Sequence, residues 1–349
     1  MMDFKKNAKL ISLCIVAFVT ITNCQKKKNN QSQKPLEEKL SDVQIIRFEQ
    51  ELFAIAPTDM EKGLPKLGDR YPDFYSIYIE RVLGATANYK EYSSYANLMS
   101  DFVTNPYVRG LYDTVQTHFP DLNPIEKELK VALKRYKTFF PDSTLPQVYS
   151  FISEFSNGAF TFENNIGIGL DMYLGEDYPY YKSEELGFPA FMIQRFKPEN
   201  ISINVMNVMS TSIIPELPQN ANLLDHMLYY GKSLYFIKQM LPAKKEYELI
   251  HYTKENWAWC TENEVNIWQY FIERNLLFDS GMLDFLKYVQ DAPSTYGMPS
   301  GAPGKVGAWI GWQIVDHYME KNPDVTLGQL LTNTNSREIL EKSSYKPKK

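Results

Sequence analysis

The chain has 349 residues, 44% of them hydrophobic and 23% charged, and its 24 Tyr, 20 Phe and 5 Trp are far more aromatic surface than a solvated, unfolded sequence carries. That composition excludes a peptide, a coil and a disordered tail. A formal charge of −5, with no cluster of Lys and Arg in the body, excludes a general nucleic-acid binder, because phosphate neutralisation needs a basic excess.

In chain order, the first element is a leader. Lys5, Lys6 and Lys9 precede an apolar run from Leu10 to Thr22 that stops at Asn23-Cys24 and turns polar. The run is too short to span a bilayer of about 30 Å as a helix. It has the basic and apolar regions of a secretory signal, without a small-x-small cleavage site. Ile21-Thr22-Asn23-Cys24 resembles a bacterial lipobox, in which the cysteine thiol takes a diacylglyceryl group and becomes the new N-terminus. Residues 1–23 are therefore expected to be a lipoprotein signal peptide and Cys24 a lipid anchor. Asn23 departs from the usual small residue before the cysteine, and an uncleaved signal anchor is the alternative. Cleavage removes three lysines and Asp3, and the mature charge becomes −7. Acylation of Cys24 leaves Cys260 without a partner, so no disulfide staples the fold. Trp257 and Trp259 beside it suggest a buried, inert thiol.

Residues 24–40 form the lipidated cysteine and a polar tether without apolar period, whose sixteen or so residues reach roughly 20–25 Å by the square-root rule for flexible chains. Lys26, Lys27 and Lys28 would lie against anionic headgroups. Residues 41–345 read as a single α+β domain, mostly helical, with no internal repeat. The clearest helix opens with Asn123 as cap and Pro124 at the first helical position, with Ile125, Leu129, Ala132, Leu133 and Tyr136 on one face. Between 146 and 175 the period changes to short β-branched and aromatic runs, 147–152, 158–163 and 166–174, separated by Asn/Gly turns, which predict a three-stranded sheet. Gly167 and Gly169 weaken the last run, so an edge position lining a cleft is expected of it. A helix follows Pro198 with Ile201, Val205, Val208 and Met209 in helical spacing, and another runs from about Leu223 to Met240, ended by Pro242. A Gly/Pro-rich loop from Ala292 to Gly304 leads into a helix whose Gly307 and Gly311 leave a smooth stripe for close packing. No Walker Lys-Ser/Thr pair follows Gly304, so a phosphate cradle is not supported.

The four histidines, His118, His226, His251 and His317, form no short metal-binding pair. No nucleophile elbow appears, and nothing in the spacing gives Cys260 a base. One constellation is suggestive. Zincin metallopeptidases place a His-Glu-x-x-His frame on a helix because residues four apart share a face, with the Glu activating water on the metal. Here the frame reads His226-Met227-Leu228-Tyr229-Tyr230, so Met227 replaces the catalytic Glu and Tyr230 the second His. Glu262 and Glu264 stand where a third ligand would follow, although Thr261 and Glu264 equally match a capping box. Loss of the water-activating carboxylate alone typically removes a 10²–10⁴-fold contribution.

The lipobox cysteine, the polar tether, Ile46-Arg-Phe-Glu-Gln-Glu-Leu-Phe53, the Asp225–Phe236 helix, Glu262-Asn-Glu264 and Gly304-Lys-Val-Gly-Ala-Trp-Ile-Gly311 together resemble the gliding motility lipoprotein GldB family of Bacteroidota over essentially the whole chain. The resemblance implies a zincin-like body with a decayed metal motif, in which His226, Tyr230 and Glu264 mark a vestigial cleft. It also implies no cofactor, no metal and no enzymatic activity. By the same resemblance the protein is a cell-envelope lipoprotein required for gliding, a scaffold or binding component whose partners are the membrane, through the lipid anchor, and other gliding or type IX secretion proteins. Its preferred place is the periplasmic side of the outer membrane, with the inner membrane as the alternative. A residual zinc peptidase and an aromatic-stacking glycan binder are the other readings.

Overall fold

The structure, a computed structural model, describes residues 43–84 and 92–347. The leader, Cys24 and the tether lie outside the described residues. The remainder is the expected mostly helical α+β body, and its elements in chain order are β1 (Ile45–Arg47), α1 (Phe48–Phe53), α2 (Met60–Arg70), α3 (Pro72–Ile77), α4 (Tyr92–Thr104), α5 (Pro106–His118), α6 (Asn123–Phe139), β2 (Val148–Phe151), β3 (Ala159–Phe162) and β4 (Asn165–Gly169). Then come α7 (Ala190–Ile193), α8 (Ile201–Ile213), α9 (Leu223–Met240), α10 (Glu246–Leu249), α11 (Lys254–Glu262), α12 (Glu264–Glu273), α13 (Met282–Val289), α14 (Val306–Lys321), α15 (Leu327–Thr332) and α16 (Ser336–Ser343).

The sheet has four strands rather than three, in the order β1-β2-β4-β3. The added strand is the three-residue β1, parallel to β2 with Ile45 opposite Val148; three residues carry no detectable alternation. β4 lies parallel to β2 and antiparallel to β3, so it is an inner strand and not the expected edge. Its glycines answer crowding from both sides. A Cβ on Gly167 would sit 2.8 Å from the Phe160 ring, and one on Gly169 only 1.9 Å from the Asn157 carbonyl oxygen. After Gly169 the chain leaves the sheet in a 3₁₀ turn, Leu170–Tyr173, where the sequence suggested more strand. Phe48, Phe74, Tyr78, Tyr149 and Phe151 form an aromatic core against the sheet, with Phe74 stacked on Tyr149 at 4.6 Å and Phe48 edge-on to Phe74 at 4.8 Å. Glu49 is buried with it, paired with Arg47 at 2.5 Å and accepting from Ser150 Oγ at 2.7 Å, while Arg47 also donates to the Phe119 carbonyl. That ion pair thus joins β1 to β2 and to the end of α5.

α6 buries Ile125, Leu129, Ala132 and Leu133 as its period predicts, but Asn123 already lies inside the first turn, its N–H held by the Asp121 carboxylate at 3.0 Å. α9 spans the predicted residues, opened by a reciprocal pair in which the Asn222 N–H donates to Asp225 Oδ2 (2.9 Å) and the Asp225 N–H to Asn222 Oδ1 (3.0 Å). It is buried on nearly all sides, including Met227, Leu228, Gly231 and Leu234. The helix it touches most closely is α14. A Cβ on Gly311 would lie 1.8 Å from the Met227 carbonyl oxygen, and one on Gly231 would lie 2.4 Å from the Gly311 carbonyl, so the two backbones meet directly, as the glycine stripe predicts. Trp309 and Trp312 flank the crossing, with the Trp257 ring edge-on to each. Cys260 is a buried free thiol pushed up to about 12 by burial, which makes it inert as expected.

Candidate functional site

A cavity of about 510 Å³ opens between α8, α9 and the start of α14. α8 presents Asn204 and Asn207, α9 presents Tyr230 and Ser233, and three separate connections add Arg195, His251, Asp291 and Lys305. Arg195 Nη1 and Lys305 Nζ both pair with the same oxygen of Asp291, Oδ1, each at 2.6 Å. Two cations against one carboxylate leave the wall with an excess positive charge. Burial alone would raise the Asp291 carboxyl, but Lys305 and Arg195 hold it below its ordinary value. Lys305 is itself pulled down by burial, against the attraction of Asp291.

His251 is the fourth polar group. Burial, helped by the Lys305 and Arg195 charges, pulls its imidazole down to about 3, so the ring is neutral at physiological pH. Its tautomer follows from its neighbours. The Asn204 amide nitrogen donates to the Tyr173 hydroxyl at 3.0 Å, which turns Asn204 Oδ1 toward His251 Nε2 at 3.3 Å. Nε2 therefore carries the proton and Nδ1 keeps a lone pair. That Nδ1 and Arg195 Nε are both buried without a hydrogen-bond partner. Buried polar atoms are nearly always satisfied, so an unmet acceptor and an unmet donor on one wall require a reason. The backbone adds another sign: His251 and Lys305 hold left-handed φ of +58° and +64°, a conformation that costs non-glycine residues about 1–2 kcal/mol each.

Of the three residues expected to mark a vestigial zincin-like cleft, Tyr230 alone lines this cavity, and burial raises its phenol. His226, one turn earlier on α9, packs its ring on Phe285 at 5.0 Å and is lowered by burial. Glu264 accepts from the Tyr345 hydroxyl at 2.7 Å at the first turn of α12. The capping box suggested for Thr261 and Glu264 does not form: Thr261 is inside α11, its hydroxyl donating to the Trp257 carbonyl, and Asn263 breaks the two helices apart. Among the described residues, no three His, Cys, Asp or Glu side chains gather as a metal would require. Arg195, His251, Asp291 and Lys305 were not legible as a group. The only sequence signal is the Gly/Pro-rich loop that Asp291 and Lys305 bracket, which the structure uses to bring its two ends together, with a Cβ on Gly304 only 2.2 Å from the Ala292 carbonyl oxygen.

A second concavity, of about 300 Å³, is aromatic: Tyr107 (75% exposed), Phe155, Tyr178 and Tyr180 (49% exposed) surround it.

The family described as gliding motility protein GldB matches residues 27–347, and the chain belongs to that family. The family is one of lipoproteins, which assigns the chain to the cell envelope and to gliding motility. No curated protein and no solved structure matches it. Among the described residues no helix is long and apolar enough to cross a membrane.

Proposed function

With membership of a gliding motility family as premise, we propose that this protein is a non-enzymatic binding component, anchored through an acylated Cys24 and working through the Arg195–Asp291–Lys305 cavity. Its partners are other gliding and type IX secretion proteins of the envelope, met on the periplasmic side of the outer membrane. The observation that carries this reading is the double clamp on Asp291. A general acid or base needs a pKa near the working pH. Here the carboxylate is fixed low by two cations, the imidazole is far below neutrality and the Tyr230 phenol is raised above its ordinary value, so these three groups suit recognition better than proton transfer.

A residual peptidase would instead depend on His226 and Glu264. The discriminating experiment is single-cell gliding speed in a strain whose only copy carries His226→Ala with Glu264→Gln, with immunoblotting for protein level. Wild-type speed is expected; loss of gliding at normal protein level would overturn the reading. Glycan stacking remains a second reading for one reason, the exposed Tyr107 and Tyr180 faces at the aromatic concavity.

A further inference from the structure

The cavity's unmet groups specify more than a charge. Arg195 Nε is an N–H donor beside a net positive wall and His251 Nδ1 an acceptor, each unpaired and covered from solvent on a side chain that lines the cavity, so an occupant meets them as those side chains turn. Both residues also line an adjoining open trough of about 650 Å³, so they stand where the enclosed cavity meets the surface. A fully ionised inorganic anion such as sulfate would satisfy the donor and leave the acceptor unmet. It would also leave most of the space empty, since cavities of about 300–1,000 Å³ hold whole small molecules. An occupant that meets both groups carries an anionic acceptor next to a hydrogen-bond donor, with more chain extending outward. A carboxylate separated from an amide or amine nitrogen by one carbon is that pattern.

We propose that the cavity binds the carboxylate end of an amino acid or short peptide, its carboxylate accepting from Arg195 Nε and its adjoining N–H donating to His251 Nδ1. The remaining chain runs into the trough, which Glu199 lines toward an outgoing amino end, while Glu248 accepts from the Lys245 N–H at 2.7 Å and Glu176 is paired with Lys197 at 3.1 Å. This ligand class deepens the binding reading and rests on it. Arginine is the side chain suited to a carboxylate here because its fork can hold Asp291 through Nη1 and the ligand through Nε at once.

The test is isothermal titration of the full lipidated protein in detergent with a panel of Ala-Ala-Xaa tripeptides bearing free C-termini, the same panel as C-terminal amides, and free alanine. At least one free-acid tripeptide is expected to bind with a submillimolar Kd and its amide at least ten-fold more weakly. Arg195→Lys keeps the charge that pairs with Asp291 but removes Nε, and should weaken the acid ten-fold while leaving the amide unchanged. Alanine matching the tripeptide would identify a free amino acid as the ligand; alanine binding ten-fold more weakly would identify a peptide terminus. Equal binding of acid and amide, no binding up to millimolar concentration, or indifference to Arg195→Lys in a protein of unchanged Tm would each overturn the proposal. If no peptide binds yet Arg195→Lys stops gliding, the ligand class fails and the binding reading survives; if gliding also persists, both fail.

Discussion

His251 shows at the scale of one residue how burial sets chemistry. Its folded pKa of about 3 lies below the ordinary 6.5, so between those values the unfolded chain takes up a proton that the folded chain refuses. Stability contributed by the neutral ring is complete above 6.5 and is lost as pH falls toward 3, with a slope of up to about 1.4 kcal/mol per pH unit. Asp171 works in the opposite sense. Burial raises its carboxyl to about 6, despite N–H donors from Phe155 and Ser153, so its folded form holds a proton that the unfolded chain releases, and stability falls as pH rises from about 4 to 6. The two are separated by substitution. His251→Asn, a residue that tolerates the left-handed φ, should flatten the fall of Tm between pH 6.5 and 4 relative to the wild type, because only the histidine's contribution is removed. Thermal melts across that range check this, and an unchanged pH slope would contradict the burial assigned to His251.

At the scale of elements, the crossing of α9 and α14 fixes where the cavity can lie. Gly311→Ala must push a methyl into the Met227 carbonyl, so the helices separate, and a loss of about 1–3 kcal/mol is expected from overpacking even after the better helix propensity of alanine. Gly110→Ala in α5 meets nothing within 4 Å and should be neutral or stabilising by up to about 1 kcal/mol. Denaturant unfolding of the two variants tests the contrast, and equal effects would mean that the helices do not touch at Gly311. This crossing was legible in part in the sequence, because Gly311 and the stop at Pro242 are local signals, although Gly307 of the same stripe meets Tyr288 on α13 instead. The sheet was legible only in part. β1 is three residues long and pairs across about a hundred positions of chain, and the glycines of β4, which weaken a strand unless another backbone passes close, suggest an edge but admit the Phe160 ring and the Asn157 carbonyl. The cavity was less legible still, since Arg195, His251 and the Asp291–Lys305 pair come from three separate connections and share no spacing. Tyr230 was singled out for its place in a zincin-like frame; in the folded chain it is a wall of the cavity while His226 and Glu264 hold other partners.

At the scale of the whole molecule, the chain joins an N-terminal anchor, expected at Cys24, to a helical body in which one polar cavity gathers two cations, a clamped carboxylate and a neutral imidazole. The family role in gliding leaves open what that body does, and the binding role proposed for it rests on the carboxylate clamped by two cations. The most direct measurement is single-cell gliding speed in a strain whose sole copy carries Arg195→Lys, at verified normal protein level. The account predicts that gliding is lost although the charge against Asp291 is kept; gliding at wild-type speed would contradict it.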